Sequence, residues 1–558
     1  MAVAQEFETT PVDPSKLQPA RFFAASYAGE HVAGTEFVIG AMFVAWGVSA
    51  ADVIWGLLWG NLLAVLMWGL ICAPIATQTR LTLYAYLERI AGPGTIKLYS
   101  AVNGIMFCIL AGAMITVSAS AVRILFDIPP QVNWYPTDFR FVLVVLGVGA
   151  VVVAMAVKGF RRVAQFAEVC APWMILMFIA GALALYPVLN AQMPAGEDTS
   201  FMAVAEKLIW TGSDEGLGFW HVAAFAWICN LAMHGSLSDM TMLRYARRSS
   251  YGYFSAFGMF LGHYMAWVCA GIMGAGAALI AKTSIDTLDP GAVAYQALGA
   301  AGIIAVIIAG WTTSNPTIYR AGLAFHSLNP KWDRSKVTLF TGIVTTIIAC
   351  SPFVFGNLLN FVGLMGLTLM PVGAVIVTEH WIFPRLGLTR YWAHYADHNI
   401  NWAAIGAWFG SLAIAYLLNM SGVHLFFLLL PTWLAATALY LALASVMGAK
   451  EAHTEQATAY DKSEDKRRAL EAAHLEQVAT EAPVLRAQAE ADGKLVLARA
   501  VALVSLLVCA VLSVRVFTGG DLESLRSLLI WPTLVYFIAA TIWVIEKDKI
   551  ETNNTETS

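Results

Sequence analysis

What most limits the fold open to this chain is its recurrence of long apolar runs. Hydropathy along the 558 residues resolves about fourteen segments able to span a bilayer, each needing roughly 20 predominantly apolar residues. Only 13% of the residues are charged, against roughly 25% in soluble domains. The expected class is an all-α polytopic membrane protein, because a helix satisfies its own backbone in hydrocarbon. The seven cysteines lie in apolar runs without CxxC or His/Cys ligand spacing and read as packing residues. A net charge of −4 gives no ground for a nucleic-acid partner. No nucleophile–base pair or metal constellation stands out. The chain therefore reads as a non-enzyme whose partners are the lipid bilayer and a small-molecule substrate, with the oligomeric state left unknown.

Basic residues set the orientation. With the N-terminus inside and the spans alternating, about 27 of the 33 lysines and arginines fall on the cytoplasmic side, Arg244 and Arg320 among them. Both termini are then cytoplasmic, in a multi-pass protein of the cell membrane. The polar start, with acids at Glu6, Glu8 and Asp13, is no cleaved signal peptide.

Polar residues inside the apolar runs mark where function sits, since each intramembrane charge costs roughly 2.5–3.5 kcal/mol on insertion scales. The first run, Tyr27 to Gly40, carries Glu30, His31 and Glu36 with Gly29, Gly34 and Gly40. It reads as a helix interrupted near mid-membrane, with carbonyls released to bind something. The sixth run, from Phe219 to Asp239, is interrupted in the same way. In it Asn230, His234 and Ser238 share one helix face beside Gly235 and Ser236. Interrupted helices at positions 1 and 6 imply two five-helix repeats, inverted because five is odd. Asp239 with Arg244 reads as an ion pair or latch at the end of helix 6. In the eighth run, Pro316 deprives the Thr312 carbonyl of its helical partner, and Thr312, Thr313 and Ser314 add hydroxyls nearby. Either these oxygens bind a hard cation such as sodium, or the hydroxyls satisfy a proline kink.

The chain divides into a cytoplasmic tail (1–26), a ten-helix core (27–395), spans 11 and 12 (396–448), a charged cytoplasmic amphipathic segment (449–494), spans 13 and 14 (495–547) and a disordered tail (548–558). The 449–494 segment reads as a solvated linker helix in preference to a docking surface.

Several stretches carry a likeness to a known family. They are Trp46-Gly-Val-Ser with Leu58-Trp-Gly-Asn61, Tyr86-Leu-Glu-Arg-Ile-Ala-Gly92, Gly235-Ser-Leu-Ser-Asp239, Gly310-Trp-Thr-Thr-Ser-Asn315, and Leu359-Asn-Phe-Val-Gly-Leu-Met-Gly366 with Pro371-Val-Gly373. In order and spacing, over residues 20–445, the chain resembles the nucleobase:cation symporter family of purine–cytosine permeases and hydantoin transporters. The resemblance implies a leucine-transporter-type fold and cation-driven movement of a small planar nitrogen heterocycle. Carried over by position, it implies a sodium site from the carbonyls of His31, Gly34 and Ala309 and the hydroxyls of Thr312 and Thr313. Substrate is expected among Gly34, Glu36, Asn230, His234, Ser236, Ser314 and Asn315, with Leu110 and Met114 from helix 3, where relatives often present an aromatic ring. Sodium is the expected coupling ion and no other cofactor is expected. The alternatives are proton coupling through Glu30, His31 or Glu168, with a cationic or amine solute paired to Glu36, and a non-transporting sensor on the same fold. Glu168 itself reads as an edge residue.

Overall fold

A computed structural model of the chain describes residues 7–131, 133–213, 217–352 and 357–556. Among them, eleven helices are long and apolar enough to cross a membrane. The remaining expected runs are shorter pieces. The first is split into α1 (Ala20–His31) and α2 (Glu36–Ala45). There follow α3 (Ala50–Thr79), α4 (Leu83–Phe126), α5 (Phe139–Ala156) and α6 (Phe160–Asn190). The sixth run is split into α7 (Phe219–Ile228), α8 (Leu231–His234) and α9 (Met240–Leu243). Then come α10 (Ser249–Ala281), α11 (Pro290–Leu298) and α12 (Ala300–His326). The ninth run is α13 (Arg334–Ala349), and α14 (Leu358–Arg385) closes the core. Beyond it lie α15 (Trp402–Met420), α16 (Leu429–Met447), α17 (Thr454–Ala491), α18 (Gly493–Phe517) and α19 (Leu522–Lys549). Each five-span half opens on a broken helix, and the odd number inverts the second half relative to the first.

The breaks follow from local chemistry. Between α1 and α2 the chain turns at Val32–Thr35, and Gly34 there lies against Gly310 of α12 and Val117 of α4. A Cβ at Gly34 would come within 3.4 Å of the Gly310 nitrogen. Between α8 and α9, Leu237 adopts φ +65°, a left-handed conformation that a branched residue holds only when its surroundings fix it.

Several domain expectations meet a different arrangement. Residues 1–6 lie outside the described residues. The stretch after them is folded over one end of the bundle: Val12 donates its backbone N–H to the Arg80 carbonyl at 3.0 Å and Gln18 to Tyr245 at 2.8 Å. Helix 1 begins at Ala20 because Phe22 and Phe23 are buried and extend its apolar face. The 449–494 segment is a helix docked on the core. Glu471 forms an ion pair with Arg80, Arg467 donates to the Gln78 carbonyl at 2.5 Å, and the Tyr460 hydroxyl meets that of Tyr391 at 3.5 Å. Arg467 and Glu471 have fixed partners on the core, which a solvated linker lacks, while charges such as Lys462, Lys466 and Arg468 stay exposed. The last helix continues to Glu556, into the segment expected to be disordered, since an apolar helix propagates outward at little cost once formed. The α18–α19 pair leans on α6, where Trp173 donates to the Thr533 hydroxyl at 3.1 Å and Tyr536 to the Val169 carbonyl at 2.8 Å.

Candidate functional site

The breaks in helices 1 and 6 face each other beside α12, and the polar side chains gather there. A narrow cavity of about 50 Å³ lies between them. From α1, α2 and their junction come Glu30, His31, Thr35 and Glu36, and from helix 6 Asn230 and Met233. Helix α4 adds Leu110 and Met114, α12 adds Thr313 and Thr317, and α14 closes the wall with Leu358, Val362 and Met365. Of the expected substrate residues, Glu36, Leu110, Met114 and Asn230 thus line one space. Gly34 sits in the break against Gly310.

The others point elsewhere. His234 donates from Nε2 to the Trp227 carbonyl at 3.0 Å and packs edge-on against Trp68, ring centroids 4.7 Å apart. Ser236 donates to the Ala232 carbonyl, and Ser314 to the Gly310 carbonyl at 2.6 Å. Asn315 is buried outside the cavity lining.

Sequence reasoning passed over His263, which α10 brings to the same space. Its ring stacks on Trp267, centroids 4.3 Å apart and planes 12° apart, and its Nε2 lies 3.7 Å from Glu36 Oε1. Trp267 donates its indole N–H to Glu36, and Thr35 donates to Glu36 at 3.4 Å. His31 donates from Nδ1 to the Tyr27 carbonyl at 2.8 Å, and its ring centroid lies 5.2 Å from that of His263. A lone histidine in an apolar run gives no hint of such a cluster; the π-helical stretch Met259–Ala266 is what turns His263 inward.

Of the implied ligand set, Ala309, Thr312 and Thr313 come together, the Glu30 carbonyl stands where that of His31 was expected, and Gly34 is placed nearby by its approach to Gly310. The Thr313 hydroxyl donates across to helix 1, to the Glu30 carbonyl at 2.9 Å, and also lies 3.0 Å from the Ala309 carbonyl. Thr312 reaches the same Ala309 carbonyl at 3.1 Å. The His31 carbonyl instead lies against Gly262 of α10, the glycine permitting that approach. Successive carbonyls point about 100° apart around a helix, so a single residue decides which carbonyl meets α12. The helix α12 runs on through Pro316, and Ser314 and Thr317 return their hydroxyls to the Gly310 and Thr313 carbonyls at 2.6 and 2.7 Å. Of these hydroxyls, that of Thr313 bridges two helices.

Below the break lies a buried charge network. Arg320 forks onto Glu30 at 2.5 and 3.0 Å and reaches Asp239 at 2.6 Å. Asp239 accepts further bonds from Trp68 at 2.6 Å and Tyr27 at 3.2 Å. The expected Asp239–Arg244 pair gives way to Arg320, which counting basic residues had assigned to a cytoplasmic loop. Arg244 donates to the carbonyls of Thr241, at 3.1 Å, and Phe7, at 2.5 Å. Glu168 is paired with Lys547 at 2.9 Å and Arg21 at 3.9 Å at the end of α6 that faces the N-terminal stretch.

No protein-family model matches the chain, and no curated protein matches it by sequence. Solved structures do match in fold. A closed, bromovinylhydantoin-bound structure of Mhp1, a nucleobase-cation-symport-1 family transporter, superposes with a TM-score of 0.62 at 13% identity, covering 82% of this chain and 99% of that one. The inward-facing conformation of Mhp1 gives 0.58 at 14% identity, over 79% and 93% of the two chains. A substrate-bound, outward-open Na+-coupled sialic acid symporter gives 0.55 at 15%, over 77% and 90%. The chain has the leucine-transporter-type fold of these proteins, with its two inverted five-helix repeats and its broken helices 1 and 6.

Proposed function

We propose that the protein is a secondary active transporter that couples sodium entry to symport of a small polar nitrogenous solute, of nucleobase-like heterocycle type, by alternating access. The observation that carries this reading is the Thr313 hydroxyl spanning from Ala309 to the Glu30 carbonyl at the helix 1 break. The carbonyls of Glu30 and Ala309 with the hydroxyls of Thr312 and Thr313 form a neutral oxygen cluster between helices 1 and 8. Such a set suits a monovalent ion better than calcium, which recruits carboxylates. Sodium there would draw α1 and α12 together on one wall of the cavity that Glu36 and Asn230 line. The matched fold belongs to symporters, two of whose structures are described as nucleobase-cation and Na+-coupled. A cavity of about 50 Å³ is below the usual 300–1,000 Å³ of ligand sites, so a heterocycle enters only as the helices part. One charge crossing a membrane potential is worth about 2.3 kcal/mol per 100 mV, which drives the cycle.

A second reading, proton coupling with a cationic or amine solute, draws on Glu36 facing His263 at 3.7 Å. The deciding experiment is counterflow in proteoliposomes with nucleobases, hydantoins and amines, run against sodium at several fixed pH values. Uptake that follows sodium supports the first reading, uptake that follows pH alone the second, and binding without exchange a sensor.

A further inference from the structure

Toward the end of the bundle away from the N-terminal stretch, the cavity wall continues into a layer of aromatic rings. Ile39 of α2, Cys229 at the close of α7 and His263 of α10 line the cavity. Phe43, Phe225 and Trp267 stand four residues from them, about one helical turn farther along each helix. These three rings touch pairwise, with centroids 5.9 Å apart for Phe43 and Phe225 and 5.7 Å apart for each of the other two pairs. A fourth ring lies over this layer and comes from outside the ten-helix core. Phe426, in the connection 421–428 between α15 and α16, has its centroid 5.2 Å from that of Phe225 and 6.0 Å from that of Trp46. Trp46 in turn meets Phe43 edge-on at 5.5 Å. Connections between helices normally run exposed over the surface, yet Phe426 is 7% exposed and Leu428 2%. The same connection reaches another wall of the cavity. A Cβ at Gly363 of α14, beside the cavity residue Val362, would lie 3.1 Å from Leu425 Cδ2.

We propose that residues 421–428 form an outer lid over the cavity, with Phe426 as the ring that holds it shut, and that lifting the lid admits the solute from this end. The proposal rests on the reading that this cavity receives the solute. The connection keeps its own shape: Val423 donates its backbone N–H to the Leu418 carbonyl at 3.0 Å, Phe427 to the His424 carbonyl at 2.9 Å, and the Asn419 amide donates to the Val423 carbonyl at 3.0 Å. Gly422, at φ +99°, makes the turn by which it leaves α15. Packing of Phe426 and Leu425 then fastens this preformed turn to α2, α7 and α14. Apolar contact is non-directional, so it suits a closure that opens and re-forms without a fixed polar geometry to rebuild. Spans 11 and 12, which lie outside the two repeats, thereby act on the site by covering it.

The test labels Cys229 in full-length protein held in nanodiscs, with a cationic methanethiosulfonate reagent and site-resolved mass spectrometry. Cys229 lines the cavity, whereas Cys170 of α6 is buried and reports global unfolding. Phe426→Ala should speed modification of Cys229 by about tenfold or more, because the buried ring stabilises only the closed lid. Phe426→Leu should speed it by less, and Cys170 should stay unmodified in both. Phe141→Ala, which removes a buried ring from α5, should leave Cys229 at the wild-type rate. Where Phe426→Ala exposes Cys170 as well, Phe426→Leu decides. The lid is overturned if the folded Phe426 variants label like the wild type, or if Phe141→Ala speeds labelling as much as they do. Neither sodium nor a solute enters this measurement, so failure of the transport reading in the counterflow experiment is told apart from failure of the lid.

Discussion

Arg320 donates from Nη1 to Glu30 Oε1 at 2.5 Å and from Nη2 to Glu30 Oε2 at 3.0 Å, with both side chains buried. The same Nη2 holds Asp239, so a single cation links α1, α12 and the end of helix 6. Two carboxylates and one guanidinium share a site closed to water, and their mutual attraction offsets a large desolvation cost only while all three are present.

Removing the cation should therefore be the most damaging single change in the core. Arg320→Met leaves Glu30 and Asp239 facing each other uncompensated, and a loss of about 3–5 kcal/mol is expected. Pairing it with Glu30→Gln should recover part of that loss, because one buried charge is gone. Denaturation of detergent-purified protein through the double-mutant cycle measures the coupling. Strict additivity of the two variants would show that the pair does not interact.

A steric prediction concerns Gly262. A Cβ there would press on the His31 carbonyl and lie 2.7 Å from the His31 Cβ. Gly262→Ala must push α10 away from the end of α1, at a cost of about 1–3 kcal/mol for overpacking. The melting temperature should fall. By contrast Gly147→Ala, with open space at its Cβ, should be neutral or slightly stabilising in its helix.

Docking of α17 is testable through Glu471. Arg80 is almost wholly buried, and Glu471 is its carboxylate partner. Glu471→Ala leaves Arg80 its bond to the Arg244 carbonyl at 3.0 Å but strips its counter-charge, for an expected cost of about 1–3 kcal/mol. The more specific outcome is local: α17 loosens, and protease cutting in the 449–453 connection becomes faster than in the wild type. Equal cutting rates in both proteins would mean that the ion pair does not hold the helix.

The architecture was legible because its signals are one-dimensional. Apolar run length marks spans, and polar residues with glycine mark breaks, so helices 1 and 6 stood out from Glu30, Gly34, Asn230 and Gly235 alone. Partner choice was not legible. Arg320 counted as a loop residue because a net count of basic residues cannot see that α12 carries it inward to Glu30 and Asp239. His263 stayed hidden because its inward turn depends on π-helical geometry rather than spacing. The facing carbonyl, Glu30 rather than His31, depends on a helix rotation of one residue, about 100°, which no pattern of residue types fixes. Glu471 and Arg467 of α17 looked solvated because their partners, Arg80 and Gln78, lie hundreds of residues away.

At the cavity, Glu36 separates solute classes. Its carboxylate accepts from Trp267 and Thr35 and faces His263. Glu36→Gln keeps the shape and one acceptor while removing the charge. Affinity for a neutral heterocycle should stay within about threefold, and affinity for a cationic solute should drop by tenfold or more, as expected when a charged hydrogen bond is lost. Binding isotherms with one ligand of each class measure the ratio. A drop of equal size for both classes would mean that Glu36 shapes the site without reading charge.

The coupling prediction turns on Thr313, whose hydroxyl is the bridge between α12 and the helix 1 break. Thr313→Ala removes one oxygen from the cluster and the contact to the Glu30 carbonyl. Thr313→Ser keeps both. Thr312→Ala removes an oxygen that contacts only its own helix, at the Ala309 carbonyl. If sodium binds there, it and the solute raise each other's affinity by the same factor, because coupling free energy is reciprocal. Thr313→Ala should then raise the sodium concentration needed for half-maximal solute binding by about three- to tenfold, the worth of one such interaction. Solute affinity at saturating sodium should change little, and Thr313→Ser should restore the wild-type sodium curve. Thr312→Ala should shift that curve in the same direction without breaking the bridge, so a stability loss confined to Thr313→Ala separates helix bridging from ion ligation. A sodium curve that is flat in the wild type and follows pH instead would remove the sodium site and leave Glu36 and His263 as the groups to test for proton coupling.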